Sequence, residues 1–364
     1  MKNNRLEILE FLKTTFLPFT NRVYFVGGYV RDSLLGIECD DIDIEVYDID
    51  LERFSALMDS IGAIGVGKSF FVYKYKDIDI SLPRTEVKTS IGHTGFEVSY
   101  CNCEKTASKR RDFTINALMK NIYTEEILDF YGGIEDLHLK KIKIVDKNSF
   151  VEDSLRVLRG IRFASRFGFE IDSESLEIMK DINLDDLSDE RVSKEFELIF
   201  ATKYLEVGFY YLCKLHLIEK YFKITLTYQE FINITKLLVQ TKPYFNPDFY
   251  EYYLLYILNS IKPLCFDVLK SKKYIQHIKK QPSLNFAITK KELLIISLEI
   301  PICNWLGALN NDIINKAKEL NIYEHTLDTG VCSQSVIQDG FSGKSIGEEI
   351  TKRKLKFIDD KILS

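Results

Sequence analysis

The feature that most constrains the fold is a short apolar run, Val23–Val26, that ends in two adjacent glycines, Gly27 and Gly28. This pattern predicts a buried strand that enters a tight turn, where the missing Cβ atoms let the backbone approach a ligand closely. Residues 29–35 can form one or two helical turns, and Gly36 suits the end of that helix. The sequence therefore predicts a strand, a glycine turn and a helix in direct succession.

Acidic and apolar residues alternate in the next segment, residues 41–47, which place Asp41, Asp43 and Glu45 at every second position. Such alternation predicts a strand with one acidic and one apolar face. Two neighbouring carboxylates repel each other unless a divalent cation such as Mg²⁺, which prefers oxygen ligands, binds between them. Asp79, on a later predicted strand, can supply a third carboxylate. The alternative interpretation is an acidic edge strand that faces solvent.

The glycine turn also predicts a binding site for a polyphosphate. Backbone N–H groups at Gly27 and Gly28 can approach phosphate oxygens, and the N-terminus of the following helix attracts anions. Arg31 lies one turn into that helix and can reach the same anion. The sequence therefore places a candidate phosphate site directly before the candidate metal site.

A second motif, residues 110–118, begins with two arginines. We expect a helix over residues 112–119 with Arg110 and Arg111 at its start, where the helix dipole disfavours cations. A nucleotide phosphate would offset that cost, and Asp112 can both cap the helix and face a ribose hydroxyl. The alternative is a surface pair of arginines before an ordinary N-cap.

A third motif has charged residues at helical spacing, and it predicts a helix over residues 152–167. The polar stripe of this helix contains Glu152, Asp153, Arg156, Arg159 and Arg162. Asp153 offers hydrogen-bond acceptors and Arg156 a two-pronged donor, which together can imitate a Watson–Crick edge and select a base. The alternative is a solvated stripe of salt bridges.

The order of these motifs resembles that of the class II tRNA nucleotidyltransferases. These are the bacterial CCA-adding enzymes, with the related bacterial poly(A) polymerases, and they belong to the polymerase-β-like nucleotidyltransferase superfamily. The family patterns G-G-x-V-R-D-x-L-L-G, D-x-D, R-R-D-F-T-I-N-A-L and E-D-x-x-R appear at residues 27–36, 41–43, 110–118 and 152–156. A weaker E-R-x-x-x-E element begins at Glu190. The resemblance covers roughly residues 20–225, and the tail beyond it matches poorly.

The resemblance implies an α+β fold: a polymerase-β-like head with a mixed sheet, then an all-helical neck, body and tail. It implies that Asp41 and Asp43 bind Mg²⁺, and that Asp79 matches a third catalytic acid of some members. The expected nucleotide-binding residues are Gly27, Gly28, Arg31, Arg110, Arg111, Asp112, Glu152, Asp153, Arg156, Arg159 and Arg162. The expected partners are CTP, ATP and the acceptor arm and 3′ end of tRNA, and no protein partner is evident.

Strand and helix signals alternate before residue 149 and helical signals prevail after it. The expected domains are a catalytic head at residues 1–148, a neck at 149–225 that reads the base, and a body and tail at 226–364 that bind tRNA. The clearest helical signals after the neck's first helix lie at residues 190–200, 207–217, 229–238, 249–258 and 291–298.

The net charge of −5 argues against a uniformly basic nucleic-acid-binding protein. Acidic residues predominate before residue 200 and basic residues after it, which suits either a polyanion partner or chance variation. The candidate phosphate contacts to tRNA are Lys270, Lys272, Lys273, Lys279 and Lys280. The alternative for this segment is a solvated helix face.

The sequence has no apolar run of about 18 residues and no secretory core near its start, so we expect no membrane association. Its seven cysteines are scattered, which favours free thiols in the cytoplasm.

The expected reaction is attack of an RNA 3′-hydroxyl on the α-phosphate of CTP or ATP, with release of pyrophosphate. One Mg²⁺ would lower the hydroxyl pKa and a second would stabilise the pyrophosphate. We expect addition of C, C and A because full CCA enzymes need a flexible loop, for which residues 88–98 are the candidate. The alternatives are A-only addition, poly(A) polymerisation, or a nucleotide- or RNA-binding protein without catalysis. No histidine is followed by Asp, so no His-Asp phosphohydrolase activity is expected.

Overall fold

The computed structural model describes residues 2–67, 71–88 and 96–363. The chain divides into two compact units, Met1–Glu195 and Phe196–Ser364. This division falls inside the predicted neck, so the expected boundaries near residues 148 and 225 stay predictions.

The first unit contains a mixed sheet, as the sequence predicts. Its strands are β1 (Val23–Val26), β2 (Ile42–Val46), β3 (Ile64–Gly67), β4 (Val72–Tyr75), β5 (Ile78–Ser81), β8 (Met119–Asn121) and β9 (Ile127–Leu128). Their order is β3-β4-β5-β2-β1-β8-β9, with β2 and β5 parallel and the other neighbours antiparallel. Two smaller sheets pair β6 (Arg84–Lys88) with β7 (Phe96–Tyr100) and β10 (Lys141–Ile142) with β11 (Glu170–Ile171).

Nine helices begin in the described part of this unit. They are α1 (Lys2–Phe16), α2 (Gly28–Leu34), α3 (Leu51–Ser60), α4 (Glu104–Lys109), α5 (Gly133–His138), α6 (Lys147–Phe150), α7 (Leu155–Phe167), α8 (Ser173–Lys180) and α9 (Asp189–Phe200). The helix α9 continues across the boundary into the second unit.

The strand β2 lies inside the sheet, hydrogen-bonded to β1 on one side and to β5 on the other. Its apolar residues Ile42, Ile44 and Val46 are buried, and hydrophobic burial of this face fixes the register of the strand. The alternative of a solvent-facing acidic edge strand is therefore wrong.

The helix expected over residues 112–119 is not formed. The helix α4 ends at Lys109, a single 3₁₀ turn covers Thr114–Asn116, and Met119 begins β8. Backbone hydrogen bonds run instead to a distant segment, from Thr114 N to Lys143 O at 2.9 Å and from Val145 N to Asp112 O at 3.3 Å. These non-local bonds replace the helical ones that local spacing predicts.

Two further expectations are corrected. The helix expected at residues 152–167 begins at Leu155, because the Asp153 carboxylate accepts the Leu155 N–H at 3.3 Å and so occupies the preceding turn. The loop expected at residues 88–98 is contradicted at Lys88 and at residues 96–98, which pair in β6 and β7. Residues 89–95 lie outside the described residues.

The second unit is helical, as expected. Its helices are α10 (Leu205–Lys214), α11 (Leu217–Phe222), α12 (Tyr228–Thr241), α13 (Tyr253–Ile261), α14 (Lys272–Lys280), α15 (Lys290–Ser297), α16 (Asn311–Glu319), α17 (Ser333–Gln338) and α18 (Lys344–Leu363). The helix expected at residues 207–217 ends early because His216 adopts a left-handed backbone conformation. Buried Trp305, Leu294 and Ile358 belong to one hydrophobic cluster of this unit. None of the described helices is both long and apolar enough to span a bilayer.

Candidate active site

An open cavity of about 580 Å³ in the first unit collects most of the predicted site residues. Its lining residues are Gly27, Gly28, Arg31, Asp41, Asp43, Arg110, Arg111, Asp112, Asn116, Asp153, Leu155, Arg156, Arg159, Arg162, Phe163, Arg166 and Arg191. Of the predicted metal- and nucleotide-binding residues, Asp79 and Glu152 are outside this lining. A larger concavity of about 870 Å³ lies along α18, but residues of that one helix line it, so no polar groups from different elements converge there.

The charge of the cavity suits an anion. Eight of the described lining residues are arginines and four are aspartates, which leaves a positive excess. A triphosphate carries several negative charges, so this excess favours its binding over that of a neutral ligand.

The glycine turn keeps space beside two of the arginines. Gly27 has a φ of +67°, which an L side chain rarely adopts, and a Cβ there would lie 3.4 Å from Nη1 of Arg111. A Cβ at Gly28 would lie 3.4 Å from Nη2 of Arg31. The backbone can therefore approach a ligand that both guanidinium groups also approach.

Arg31 is almost fully buried and is held from several sides. Its guanidinium donates to Asp32 Oδ1 at 2.7 Å and to Asn116 Oδ1, and lies over the rings of Phe163 and Phe167 at 5.1 and 4.9 Å. Because charge-assisted bonds and cation–π contacts fix its plane, Arg31 has little rotamer freedom to lose when a ligand binds.

Asp41 is exposed and directly precedes β2, whereas Asp43 is half-buried within the strand. Burial raises the pKa of Asp43, the charges of Asp41 and Asp79 raise it further, and Arg111 opposes them. Neither Asp41 nor Asp43 forms a side-chain hydrogen bond or ion pair with any described residue, so both carboxylates are available as oxygen ligands.

Asp79 lies beside Asp43 in the parallel pairing of β2 and β5. Its Oδ1 atom is buried without a hydrogen-bond partner and lies 3.8 Å from Nζ of Lys74. Across residues 2–67, 71–88 and 96–363, no three or more His, Cys, Asp or Glu side chains converge as a metal site. A role for Asp79 as a third metal ligand therefore stays a prediction.

Glu45 is a residue of this region to which the sequence motifs assign no role. Its side chain is 3% exposed and accepts hydrogen bonds from Arg110 Nη2 at 2.9 Å, Arg111 Nη2 at 3.0 Å and the Tyr47 hydroxyl at 3.1 Å. Burial alone would raise the pKa of Glu45, but Arg111 and Arg110 together hold it below its ordinary value. The alternation with Asp43 could have indicated its position, because residues two apart on a strand share a face.

The Arg-Arg-Asp segment has a different geometry from the expected one. Arg110 and Arg111 follow the C-terminal end of α4, where the helix dipole favours cations, so no ligand is needed to explain them. Asp112 does not cap a helix. Its Oδ2 accepts from Nε of Arg159 at 2.8 Å, and its Oδ1 accepts from Nδ2 of Asn116 at 2.9 Å.

The buried Asp112 carboxylate is firmly ionised. Burial would raise its pKa, but Arg159, Asn116 and Arg156 together lower it to about 2. Arg159 and Asn116 already bind its two oxygens, one each. The expected contact between Asp112 and a ribose hydroxyl stays a prediction.

Asp153 and Arg156, the candidate base-reading pair, both line the cavity. Nη1 and Nη2 of Arg156 each donate to a backbone carbonyl, those of Ser149 and Arg110, at 2.8 Å. Each terminal nitrogen keeps a second N–H that can donate to a base. Asp153 accepts from Nη2 of Arg191 at 3.2 Å, so the weaker E-R-x-x-x-E motif supplies a residue to the cavity.

Beyond the predicted residues, the cavity includes Asn116, Leu155, Phe163, Arg166 and Arg191. Arg166 donates to Asp32 Oδ2 at 2.8 Å and so joins the end of α7 to α2. Periodicity along α7 indicates Arg166, but the partners of Asn116 and Arg191 depend on tertiary contacts that the sequence does not show.

The fold and this cavity define a polymerase-β-like nucleotidyltransferase head followed by helices. Members of this superfamily generally use a divalent metal ion. Residues 23–143 match the family model of the poly A polymerase head domain, and residues 168–228 match a model described as the probable RNA and SrmB- binding site of polymerase A. The chain belongs to the family of CCA-adding enzymes and poly(A) polymerases, which confirms the resemblance and the fold class expected from the sequence.

A curated relative, the multifunctional CCA protein of Nitrosospira multiformis, is 40% identical over 183 residues, which are 48% of this chain and 43% of the relative. The chain thus spans less than half the length of that relative. A solved CCA-adding enzyme in complex with CTP has a TM-score of 0.69 at 24% identity, covering 98% of this chain and 90% of the other. The Thermotoga maritima CCA-adding enzyme complexed with tRNA has a TM-score of 0.67 at 22% identity, covering 98% and 92%. These two structures establish a shared fold.

Proposed function

We propose that this protein is a CCA tRNA nucleotidyltransferase, which adds C, C and A to the 3′ end of tRNA from CTP and ATP and releases pyrophosphate. The cavity carries the proposal, because it combines a glycine turn, the pair Asp41 and Asp43, an excess of arginines and the pair Asp153 and Arg156. The matched relative is a multifunctional CCA protein, and the two solved structures are CCA-adding enzymes in complex with CTP or with tRNA. These similarities support the same activity.

The triphosphate lies, in this proposal, along the side of the cavity formed by Gly27, Gly28 and Arg31, with Arg111 behind the turn. Backbone N–H groups and fixed guanidinium groups hold the phosphates in one orientation, so the α-phosphate meets the RNA 3′-hydroxyl in line. Arg31 contributes through its fixed plane, which Asp32 and Phe163 maintain.

Asp41 and Asp43 would hold Mg²⁺, since both carboxylates are free of other described partners and hard cations prefer such oxygen ligands. When bound, the metal supplies Lewis-acid charge neutralisation for phosphoryl transfer. Asp43 is the more constrained ligand because it lies within β2, between β1 and β5.

Nucleotide choice rests on Asp153 and Arg156. The carboxylate accepts from a base amino group and the guanidinium donates to base acceptors, so C and A can be read without a nucleic-acid template. Arg191 orients Asp153, and the carbonyl oxygens of Ser149 and Arg110 orient Arg156. Glu152 lies directly before this pair and outside the cavity lining, and we keep it as a candidate nucleotide-binding residue.

The candidate tRNA contacts are in the second unit, and four of them lie on α14. All four side chains, those of Lys272, Lys273, Lys279 and Lys280, are exposed, and Lys273 also pairs with Glu251 at 3.0 Å. Lys270 precedes the helix and is exposed. We propose that these exposed lysines bind tRNA phosphates. We also propose, from the tRNA substrate, that the reaction takes place in the cytoplasm.

Incorporation of labelled CTP and ATP into tRNA that lacks its 3′ CCA tests the proposal. Asp41→Ala and Asp43→Ala should each lower the rate at least about 100-fold, because even removal of residues that merely orient metal ligands costs 10–100-fold. Asp59→Ala, which removes an exposed carboxylate of α3 that does not line the cavity, is the matched control and should keep activity. Wild-type rates in Asp43→Ala would refute the proposed metal site.

Arg156→Ala and Asp153→Ala should keep incorporation but reduce the preference for C and A over G and U. A variant of either residue that discriminates among the four nucleotides as the wild type does would contradict the base-reading role. Absence of any incorporation by the wild-type protein would refute the proposed activity itself.

A further inference from the structure

Glu45 is a buried carboxylate on the same face of β2 as Asp43. We propose that Glu45 is a positioning residue: it holds the guanidinium groups of Arg110 and Arg111 at the phosphate side of the cavity and away from Asp41 and Asp43. This inference rests on the proposed function, because it assigns the arginines to a bound nucleoside triphosphate.

The geometry shows how one carboxylate can fix two guanidinium groups. Oε1 of Glu45 accepts from Nη2 of Arg110 at 2.9 Å and from Nη2 of Arg111 at 3.0 Å. Oε2 accepts from the hydroxyl of Tyr47 at 3.1 Å, which fixes the carboxylate plane. Glu45 is 3% exposed, so water does not screen these contacts.

The two terminal nitrogens of Arg111 therefore have different surroundings. Its Nη2 is bound to Glu45, while its Nη1 lies 3.4 Å from the position that a Cβ of Gly27 would take. This places the free end of the guanidinium behind the glycine turn, where the proposed triphosphate lies. The structure thus links a residue inside the sheet to the phosphate-binding backbone.

The charges explain why a carboxylate is needed at this point. Two adjacent guanidinium groups repel each other, and Arg111 also interacts electrostatically with Asp43 and Asp112. Without the charge of Glu45, no carboxylate on this strand competes with Asp43 for the Arg111 guanidinium. An ion pair between Arg111 and Asp43 would then compete with the binding of a cation to Asp43. Glu45 therefore both orients the arginines and leaves the aspartate pair open.

Equilibrium binding of CTP to the full-length protein, without tRNA and with Mg²⁺ varied, tests this role. Glu45→Gln keeps the size of the side chain and removes its charge. We expect the Kd for CTP to rise roughly tenfold, as for other residues that orient a binding group. We also expect a higher Mg²⁺ concentration for half-maximal binding, because Arg111 then competes for Asp43.

Glu104→Gln is the matched control. Glu104 is a partly buried carboxylate, paired with Arg22 at 2.7 Å and bonded to the Tyr24 hydroxyl at 3.0 Å, but it does not line the cavity. Its loss should lower thermal stability and leave the Kd for CTP unchanged. If Glu45→Gln also lowers stability without changing the Kd or the Mg²⁺ dependence, Glu45 is structural and the inference is wrong.

Glu45→Asp covers the case in which Glu45→Gln does not fold. It keeps the charge but is one methylene shorter, so it cannot reach both arginines while bonded to Tyr47. We expect CTP binding at least about threefold weaker than in the wild type, and an unchanged Kd would overturn the inference. A wild-type protein that does not bind CTP refutes the proposed function instead, so the two failures are distinguishable.

Discussion

Gly160 gives a sharp test of the packing that places the arginines of α7. A Cβ at this position would lie 2.9 Å from Cζ of Phe113 and 3.0 Å from Cε of Met179. Met179 can rotate away, but Phe113 is fully buried and packs edge-on against Phe150 and Phe163 at 5.5 and 5.9 Å. In Gly160→Ala, α7 must therefore move away from the segment that holds Phe113.

The expected magnitude follows from two opposed effects. Alanine is the better helix former by about 1 kcal/mol, whereas overpacking a dense core costs about 1–3 kcal/mol. Because the closest atom belongs to a rigid, enclosed ring, we place the overpacking near its upper end and expect a net loss of about 1–2 kcal/mol. This corresponds to a fall of roughly 2–8 °C in the Tm of the first unit.

Gly347→Ala is the matched control of opposite sign. Gly347 lies in α18 and has no atom within 4 Å of the position of a Cβ, so helix propensity acts alone. We expect stabilisation by about 1 kcal/mol in the second unit. The two substitutions are identical in chemistry and differ in the space around them.

Scanning calorimetry, which can resolve separate transitions of the two units, measures both effects. Gly160→Ala should also weaken CTP binding, because the bonds from Arg156 to Arg110 and from Arg159 to Asp112 join α7 to the segment that holds Phe113. A rise in Tm for Gly160→Ala similar to that for Gly347→Ala would refute the close packing of α7 on Phe113.

The remaining predictions concern charge. Asp112 has a pKa of about 2 in the folded protein against an ordinary 3.8, so it stabilises the fold by about 2 kcal/mol above pH 5, and this contribution is lost as the pH falls towards 2. In urea unfolding, the stability difference between wild type and Asp112→Asn should therefore narrow below pH 4, and a constant difference would contradict the pairing with Arg159. The double variant Lys279→Ala, Lys280→Ala should bind tRNA more weakly, with the affinity for CTP unchanged. The slope of the logarithm of the tRNA binding constant against the logarithm of the salt concentration should become shallower by about one to two. Lys290→Ala is the control. Equal salt slopes for the wild type, the double variant and Lys290→Ala would contradict the proposal that α14 binds RNA.

Local signals were sufficient to predict β1, the glycine turn and β2. A run of apolar residues before Gly27 and the acid–apolar alternation through Asp43 are properties of neighbouring residues, and the structure keeps both. The prediction that Arg31 lies in the site was also local, because one helical turn separates it from Gly28.

Non-local contacts decided the features that the sequence did not predict. The segment after Asp112 bonds to residues 143–145 instead of forming a helix, and the pairing of β5 with β2 places the acidic strand inside the sheet. The partners of Glu45 lie 65 and 66 positions away in the chain, so spacing alone could not assign its role.

Sequencing of reaction products tests the central claim most directly. The protein would be incubated with Mg²⁺, all four nucleoside triphosphates and tRNA that ends at the discriminator base, in CC or in CCA. We predict addition of CCA to the first, one A to the second and nothing to the third. Long A tails, addition of A alone to the first tRNA, or unextended tRNA in every reaction would contradict the account.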